Sequence, residues 1–143
     1  MAKAEKVRLK LLTPEKIVFD DDVDMVVLDA TEGKMGVLAN HESLTTALEI
    51  GVLKVHNNDK VEQFAVFGGF ASIDRNVLTV LSDLAEKPDE IDAERARRAK
   101  ERAERRISEK QANLDEARLK VAHRKAMVRL ELTGIPMTNE KKK

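Results

Sequence analysis

The most constraining feature of the chain is the segment Pro88–Thr133, which contains no glycine and has its only proline at the first position. Alanine, arginine, glutamate, lysine and leucine dominate this segment, and all five residue types favour helix. Apolar side chains recur within it at spacings of three and four, which is typical of amphipathic helices. We therefore predict an antiparallel hairpin of two helices with a break near Ser108–Asn113.

Local signals predict where these helices begin and end. Asp89, directly after Pro88, is the predicted N-cap of the first helix, because a short polar side chain can accept hydrogen bonds from the first backbone amides. Asn113 is the predicted N-cap of the second helix, with Glu116 three residues later in capping-box position. The second helix is expected to end at Thr133, because a glycine and then a proline follow within three residues.

Alanine supplies much of the predicted contact between the two helices. The apolar stripe of the first helix consists of Ile91, Ala96, Ala99, Ala103 and Ile107. The second helix carries two narrow stripes, one of Leu114, Ala117, Val121 and Val128 and one of Leu119, Ala122, Ala126 and Leu130. At about 25 cal/mol per Å² of buried apolar area, such a contact is weaker than a leucine contact of equal length. The pattern therefore allows a movable arm, and a fixed surface hairpin is the alternative.

The N-terminal part of the chain has a β pattern. Apolar and charged side chains alternate along Val7–Leu11, as in a strand with one buried face. Short β-rich runs follow without intervening helices, and they include two predicted hairpins. The first joins Gly51–His56 to Lys60–Phe67 through a turn at Asn57–Asp59, and the second joins Phe70–Ile73 to Asn76–Leu81 through a turn at Asp74–Arg75. We expect Asp20–Asp22 to form an exposed acidic bend and Gly68–Gly69 to form a bulge or sharp bend. This pattern predicts a β-sandwich or barrel.

The predicted fold class is therefore segregated β + α. Its parts are a β-sandwich domain in residues 1–87, a helical hairpin in residues 88–133 and a disordered basic tail in residues 134–143. Residues 1–88 carry 10 Lys and Arg against 15 Asp and Glu, a net charge of −5, whereas residues 89–143 carry 16 against 11, a net charge of +5. An acidic body joined to a basic arm indicates mutual docking or an acidic partner for the arm.

The composition excludes several kinds of site. The chain has no cysteine, which excludes disulfides and thiolate metal sites. No apolar run approaches the ~18 residues that a membrane-spanning helix needs, and the N-terminus lacks the apolar core of a signal peptide. His41, His56 and His123 lie in different segments, and the sequence has no phosphate-binding glycine loop or nucleophile elbow. We therefore expect a soluble, intracellular, non-catalytic chain without a metal site.

Two other classes of function remain open on these grounds. A basic helical hairpin is also found in nucleic-acid-binding modules, but four phenylalanines with no tryptophan or tyrosine leave few surfaces on which bases can stack. This argues against nucleic acid as a partner. A basic coiled coil that serves as a fixed scaffold-binding module is the second alternative.

Four segments of the chain form an ordered set of motifs. They are Glu32–His41 with the sequence EGKMGVLANH, Phe67–Phe70 followed by Asn76–Leu81, Ile91–Ala96, and Lys125–Leu130. Together they resemble the epsilon subunit of the F-type ATP synthase, and the resemblance extends over residues 7–132. Ala39 and Asn40 stand where the family usually has proline and glycine, which leaves the conformation of that loop open.

The resemblance implies a β-sandwich of about ten strands followed by a helical hairpin. It also implies a non-catalytic rotor subunit in the central stalk of a proton-translocating ATP synthase. The sandwich is then expected to contact the gamma subunit and the membrane-embedded c-ring, at the cytoplasmic face of a bacterial cell membrane, as a peripheral protein. The implied contact residues are Glu32, Gly33, Lys34 and His41.

The resemblance further implies a regulatory role for the hairpin. In the family the hairpin either folds down or extends into the catalytic hexamer of alpha and beta subunits, where its basic side chains inhibit ATP hydrolysis. The matching residues are Arg97, Arg98, Arg105, Arg106, Arg118 and Arg124. Some relatives also bind ATP, without hydrolysing it, on the folded hairpin, and a requirement for magnesium is left open. The matching positions are Glu86, Ile91, Asp92, Arg95, Arg102, Arg129 and Lys125, the last of which replaces an arginine and loses its two-pronged geometry.

Overall fold

The computed structural model describes residues 5–109 and 116–134 and divides the chain into two compact units, Met1–Glu86 and Lys87–Lys143. The predicted N-cap Asn113, the stripe residue Leu114 and the basic tail beyond Gly134 lie outside the described residues. The strands are β1 (Val7–Leu12), β2 (Ile17–Val23), β3 (Met25–Ala30), β4 (Gly33–Val37), β5 (Leu44–Asn57), β6 (Lys60–Asp74), β7 (Val77–Leu81) and β8 (Ala85–Glu86). A 3-10 turn (Pro88–Glu90), α1 (Ala93–Glu109) and α2 (Glu116–Thr133) follow them.

The strands of the first unit form a sheet that encloses one apolar core, as in a β-sandwich. Their order is β2-β1-β7-β6-β5-β3-β4, with β8 paired to β6, and among the strand pairs of the described residues only β1–β7 is parallel. With the two helices that follow, this arrangement confirms the predicted fold class. The described residues form eight strands where about ten were expected, because β5 and β6 are long strands of 14 and 15 residues.

Strand β5 begins earlier than the sequence indicates. The predicted hairpin starts at Gly51, but the ladder between β5 and β6 already begins with Leu44 opposite Ile73. The segment Leu44–Ile50 was missed because its apolar residues do not alternate clearly with polar ones. Pairing with β6 therefore determines the conformation of this segment more than its own pattern does.

The glycine pair in β6 permits a close approach of backbone rather than a bulge in the β5–β6 ladder. Gly68 and Gly69 have φ angles of +78° and +111°, which favour glycine, and the register with β5 stays constant across them. A Cβ at Gly69 would lie 2.0 Å from the carbonyl oxygen of Leu81. Of the two predicted alternatives, the constant register excludes the bulge in this ladder, the sharp bend stays a prediction, and the left-handed φ angles explain the need for glycine.

The acidic run Asp20–Asp22 is part of β2, so the predicted bend is wrong. Asp20 and Asp22 lie opposite Lys10 and Arg8 on β1. The Arg8 guanidinium is 2.8 Å from Asp20 and 3.6 Å from Asp22, and the hydrogen bond to Asp20 is the main reason that the pKa of Arg8 is raised. Because β2 is an edge strand, its exposed charges also oppose pairing with another chain.

The core of the first unit consists of large apolar side chains. Val7, Leu9 and Leu11 on β1 are fully buried, as the alternation predicts. Phe64 is also buried and packs edge-on against Phe19, with the ring centroids 5.7 Å apart. Complete burial of side chains of this size stabilises the folded state by about 1.5–3 kcal/mol each.

The first helix begins later than predicted. Asp89 lies in the 3-10 turn, where the neighbouring Glu90 accepts a hydrogen bond from the Lys87 amide at 2.9 Å. The N-cap of α1 is Asp92, whose Oδ1 accepts a hydrogen bond from the Arg95 amide at 3.1 Å. The predicted cap was therefore wrong, because the 3-10 turn uses the first acidic residues and the helix starts after it.

The end of the second helix is as predicted. α2 ends at Thr133, and Gly134 has a φ of +76°, the left-handed conformation that commonly follows a helix. The Gly134 amide donates a hydrogen bond to the carbonyl of Glu131 at 3.3 Å. Neither of the two described helices is long and apolar enough to cross a lipid bilayer.

Candidate binding surfaces

The carboxylate of Asp29 fixes the turn between β3 and β4. Its Oδ1 is 2.9 Å from Lys34 Nζ, and its Oδ2 accepts a hydrogen bond from the Val52 amide at 3.2 Å. A Cβ at Gly51 would lie 2.2 Å from this Oδ2, so the glycine leaves the space that the carboxylate occupies. Asp29 thus links β3, β4 and β5 and holds the predicted contact residue Lys34, although sequence reasoning did not single Asp29 out.

The four predicted c-ring and gamma contact residues fall into two groups. Gly33 and Lys34 begin β4 and Glu32 lies in the turn directly before it, whereas His41 follows the end of this strand. Extended chain rises about 3.3 Å per residue, so the length of β4 separates the two groups. His41 Nδ1 is 2.8 Å from the carbonyl oxygen of Glu42. The structure therefore offers two small surfaces instead of one continuous contact loop.

The turn before His41 keeps a left-handed residue although it lacks glycine. Asn40 has a φ of +65°, which asparagine adopts more readily than most residues. Its amide donates a hydrogen bond to Asn76 Oδ1 at 2.5 Å, and its side-chain nitrogen donates to Glu5. The conformation that the sequence left open is therefore held by polar contacts with distant residues.

A row of apolar side chains crosses the outer face of the sandwich. Leu12 lies opposite both Ile17 on β2 and Leu81 on β7, and Leu81 lies opposite Phe70 on β6. Ile17, Leu81 and Phe70 are 64%, 52% and 61% exposed. We call Ile17, Leu12, Leu81 and Phe70 the apolar row. Its arrangement on four adjacent strands is typical of a protein-binding surface, and the next row on this face is polar, formed by Asp20, Lys10, Thr79 and Ser72.

Asp24, at the bend between β2 and β3, is engaged in internal contacts. Its carboxylate accepts a hydrogen bond from the Asn58 amide at 2.8 Å and lies 3.1 Å from Lys6 Nζ. The bond from Asn58, followed by that from Lys6, lowers the pKa of Asp24. Within residues 5–109 and 116–134, no group of three or more His, Asp or Glu side chains is arranged to hold a metal ion.

The predicted inhibitory arginines are exposed on both helices. α1 carries Arg97, Arg98, Arg105 and Arg106, and α2 carries Arg118 and Arg124. Arg97 contacts Glu94, one turn earlier on the same helix. All six of these side chains are exposed on the helices of the second unit, and we call them the arginine surface.

The candidate ATP-binding residues of the hairpin have different environments. Asp92 already caps α1, and its carboxylate is bonded to the backbone of Arg95. Arg95 and Arg102 are exposed and lie seven residues, or about two turns, apart on one side of α1. Lys125 and Arg129 are half-buried and lie one turn apart on α2.

The register of the hairpin aligns two of these cations. His123 Nε2 on α2 is 2.9 Å from Glu104 Oε2 on α1. With this antiparallel register, Arg102 on α1 and Lys125 on α2 lie at the same height along the hairpin, and each is two residues, or about 200° around its helix, from the contacting pair. The two remaining candidates are Ile91, which is half-buried before α1, and Glu86, which belongs to β8 of the first unit.

Alanine supplies three of the six buried side chains in the described parts of the two helices, so the predicted alanine contact is only partly correct: Val128 and Leu130 on α2 are larger and are also buried. Ala96 and Ala103 on α1 are each 3% exposed. The predicted stripes on α2 are only partly correct, because Val121 is 44% exposed and Ala117 is exposed as well. Burial on this helix is concentrated in its second half, at Ala126, Val128 and Leu130.

Three polar side chains near these alanines contact one another, and the sequence did not predict these contacts. Lys100 lies four residues after Ala96 on the same stripe of α1, is buried, and has its Nζ 3.5 Å from Glu104 Oε2. This oxygen also contacts His123, and the hydrogen bond from His123, with a smaller effect of the Lys100 charge, lowers the pKa of Glu104. We call Lys100, Glu104 and His123 the seam cluster. The available signal was a lysine at a stripe position.

Both units of the chain match one protein family. The β-sandwich domain of the ATP synthase delta/epsilon chain matches residues 6–88, and the long α-helix domain of that chain matches residues 89–134. The chain belongs to the ATP synthase delta/epsilon family. The resemblance seen in the sequence motifs is thereby confirmed.

Individual epsilon chains are similar over nearly their whole length. The ATP synthase epsilon chain of Desulforamulus reducens is 42% identical over 131 residues, which cover 92% of this chain and 98% of the relative. The epsilon chain of Symbiobacterium thermophilum is also 42% identical, over 127 residues that cover 88% of this chain and 91% of the relative.

Solved structures of ATP synthases contain chains with the same fold. A chain in the cryo-EM structure of the Euglena gracilis mitochondrial ATP synthase, comprising OSCP, F1 and the c-ring, has a TM-score of 0.68 and 27% identity, and the match covers 93% of this chain and 81% of that one. A chain in the central stalk and c-ring structure from Tetrahymena thermophila has a TM-score of 0.53 and 19% identity, with 62% and 72% covered. This second likeness supports the fold alone.

Family membership decides between the classes of function that the sequence left open. Epsilon chains of ATP synthase are non-catalytic subunits, so the expectation that the chain is not an enzyme is confirmed. The nucleic-acid-binding and scaffold alternatives rested on the basic helices alone, whereas the family match includes the sandwich.

Proposed function

We propose that this protein is a central-stalk subunit of a bacterial F-type ATP synthase, which docks on the gamma subunit and the c-ring and restrains ATP hydrolysis through its helical hairpin. Its family and its likeness to a chain of an F1 and c-ring assembly support the stalk assignment. Such a subunit would be held peripherally at the cytoplasmic face of the membrane through the complex. The absence of a membrane-spanning helix among the described residues is consistent with this.

The apolar row is the observation that carries the docking proposal. Ile17, Leu81 and Phe70 expose large apolar side chains on adjacent strands, and covering them would remove apolar area from water. We assign this face to the gamma subunit. The turn with Glu32, Gly33 and Lys34 and the loop with His41 are then the proposed contacts at the c-ring end of the stalk.

Replacement of apolar side chains tests the docking proposal. We expect Phe70→Ser with Leu81→Ser to weaken binding to the isolated gamma subunit by at least about tenfold, because a change of 1.4 kcal/mol in binding free energy corresponds to that factor. Val61→Ser is the matched control, since Val61 is 51% exposed but lies outside the apolar row. Equal affinities of the double variant and the control would contradict the proposal.

The regulatory part of the proposal rests on the composition of the hairpin. The buried side chains of α1 are two alanines and one lysine, so separation of the helices costs less than separation of leucine-rich helices would. The arginine surface is suited to an acidic patch on the alpha and beta subunits, and the attraction would be screened by salt. Extension of the hairpin into the catalytic hexamer would then block hydrolysis.

Truncation separates the two roles. We expect the catalytic subcomplex to hydrolyse ATP faster when it is reconstituted with a chain that ends at Lys87 than when it is reconstituted with the full-length chain. Among full-length variants, Arg105→Gln with Arg106→Gln is expected to weaken inhibition, and more strongly at low than at high salt. Lys60→Gln with Arg75→Gln removes the same charge from the start of β6 and from the turn that follows β6, and it serves as the control. Equal hydrolysis with full-length and truncated chain would contradict a regulatory hairpin.

ATP is the proposed ligand of the closed hairpin. Arg102 and Lys125 lie level on the two helices, and Arg95 and Arg129 extend the cationic surface along each helix. Phosphate oxygens form strong charge-assisted bonds with such groups. To convert a 1:99 mixture of closed and open forms into 99:1, ATP must prefer the closed form by about 5.5 kcal/mol. ATP bound across both helices would contribute part of this preference.

Nucleotide titration tests the ATP site independently of hydrolysis. We expect the NMR signals of residues 89–109 and 116–132 to shift saturably with ATP, in parallel titrations with and without magnesium. Arg102→Ala is expected to abolish the shift, whereas Lys125→Arg should tighten binding because it restores a guanidinium. Lys120→Ala, an exposed position on α2, is the control. No saturable change at millimolar ATP would remove the sensor role and leave the inhibitory role intact.

A further inference from the structure

We propose that the seam cluster is a polar latch, which aligns the two helices of the hairpin but keeps their association weak enough to be reversed. This inference deepens the proposed regulatory function. The cluster consists of Lys100, Glu104 and His123, and only the contact between Glu104 and His123 passes directly from α1 to α2.

The position of Lys100 is the first observation. It lies four residues after Ala96 and three before Ala103, and both alanines are buried. A helix stripe of this spacing would normally bury an apolar side chain at position 100. Here an ammonium group is buried instead, and the lysine side chain is only 6% exposed. Transfer of a charged group out of water opposes closure of the seam.

The partners of Glu104 are the second observation. One carboxylate oxygen lies 2.9 Å from His123 Nε2 and 3.5 Å from Lys100 Nζ. These contacts compensate for part of the dehydration of Lys100 and define which turns of the helices face each other. A single polar contact of this kind can set the register between helices at a cost in stability. The same carboxylate therefore aligns the closed form and limits its stability.

Opening of the hairpin returns the buried Lys100 side chain to water, whereas Glu104, which is 43% exposed, and His123, which is 29% exposed, are already partly hydrated in the closed form. The alanines lose little by exposure, because each carries one methyl group, and Lys100 regains its hydration. By contrast, an apolar side chain at position 100 would lose buried area on opening. The seam cluster therefore brings the free energies of the closed and open forms closer together, which is the condition under which a ligand can change their populations.

Variants with opposite expected effects test the latch. Lys100→Met keeps an unbranched side chain but removes the buried charge, so we expect a higher closed fraction. Glu104→Gln leaves Lys100 without its carboxylate, so we expect the closed-to-open ratio to fall by at least about tenfold. The matched controls are Lys120→Met and Glu109→Gln, which make the same changes at exposed helix positions.

Helix separation can be measured directly in the full-length chain. Because the chain has no cysteine, single cysteines introduced at the exposed positions Glu94 and Glu131 can carry two spin labels, one on each helix. We expect the population with a short label distance to increase in Lys100→Met and to decrease in Glu104→Gln, relative to the controls. If the closed form of the parent chain is already saturated, protection of the α2 amides from hydrogen exchange provides the same comparison.

The outcomes separate the latch from the proposed inhibition of hydrolysis. If Lys100→Met closes the hairpin and also relieves inhibition in the reconstituted catalytic subcomplex, both proposals are supported. If the distances change as expected but hydrolysis does not, the latch is supported and the inhibitory function is contradicted. If neither variant differs from its matched control in distance or exchange, the latch is overturned whatever the hydrolysis assay gives.

Discussion

The sandwich and the hairpin of this chain are stabilised by different kinds of side chain. The sandwich buries leucine, valine and phenylalanine, with Phe64 at its centre packed against Phe19. The buried positions of α1 are Ala96, Lys100 and Ala103. Large apolar side chains resist exposure strongly, whereas alanine and paired charges resist it weakly. One chain therefore combines a β unit that resists unfolding strongly with a hairpin whose first helix is held by smaller and more polar contacts.

The largest expected effect tests the strength of the sandwich core. Phe64→Ala should lower the free energy of unfolding by about 3–5 kcal/mol, because it removes a buried ring and leaves a cavity. Phe70→Ala is the matched variant, since Phe70 is 61% exposed and should change stability little. Denaturant unfolding, followed by signals of the sandwich, measures both values. Similar losses of unfolding free energy in the two variants would show that the burial of these two rings does not determine their contribution to stability.

The next effect tests whether the backbone of the sandwich is as constrained as its core. Gly69→Ala should cost about 2 kcal/mol or more, because the residue has a φ of +111° and its new Cβ would meet the Leu81 carbonyl. Gly36→Ala is the control, since no atom lies within 4 Å of the corresponding Cβ position. Thermal unfolding of both variants gives the comparison, and equal melting temperatures would contradict the close approach.

A smaller expected effect tests how the hairpin is stabilised, through the pH dependence of its helix content. Because contacts with His123 and Lys100 lower the pKa of Glu104 in the folded hairpin, its stabilising effect is complete above the pKa of an unfolded glutamate, about 4.3. The effect is lost as the pH falls through the lower folded value. Glu104→Gln should lack this acid-dependent component in a circular dichroism titration of helix content, whereas Glu109→Gln should retain it. Parallel acid titrations of parent and Glu104→Gln would contradict the assignment.

The smallest effect concerns the arginine surface. Arg97→Ala removes an exposed contact with Glu94 on the same helix and should change hairpin stability by only about 0.3 kcal/mol. Hydrogen exchange of the α1 amides can detect whether the helix is disturbed. If stability is retained, any loss of inhibition by this variant reports on a partner subunit. A loss of stability above about 1 kcal/mol would instead make Arg97 part of the fold.

Sequence periodicity was sufficient for elements whose conformation depends on neighbouring residues. The alternation in β1, the alanine-rich helices and the glycine stop after Thr133 were all predicted from local patterns. The strand Asp20–Asp22 and the early start of β5 were not, because each depends on a partner strand distant in sequence. The N-cap of α1 was misplaced by three residues, since the sequence offers several acidic residues in succession.

The candidate sites likewise divide into residues that local sequence identified and residues that only tertiary contacts identified. Motif resemblance singled out Lys34, His41 and the cations of the hairpin, because these residues lie within short sequence motifs. It did not single out Asp29, which supports Lys34 through contacts on three strands. The apolar row also escaped notice, because its members are dispersed along the sequence and become neighbours only through strand pairing.

The sequence by itself determined the order of the two parts, the helical character of the second and the family to which the chain belongs. These properties follow from composition, periodicity and short motifs, which are local. Only the tertiary structure decided that Leu12, Leu81 and Phe70 lie in one row across adjacent strands and that Glu104 contacts both Lys100 and His123. Such contacts depend on the register between elements, which is fixed by the packing of the whole unit.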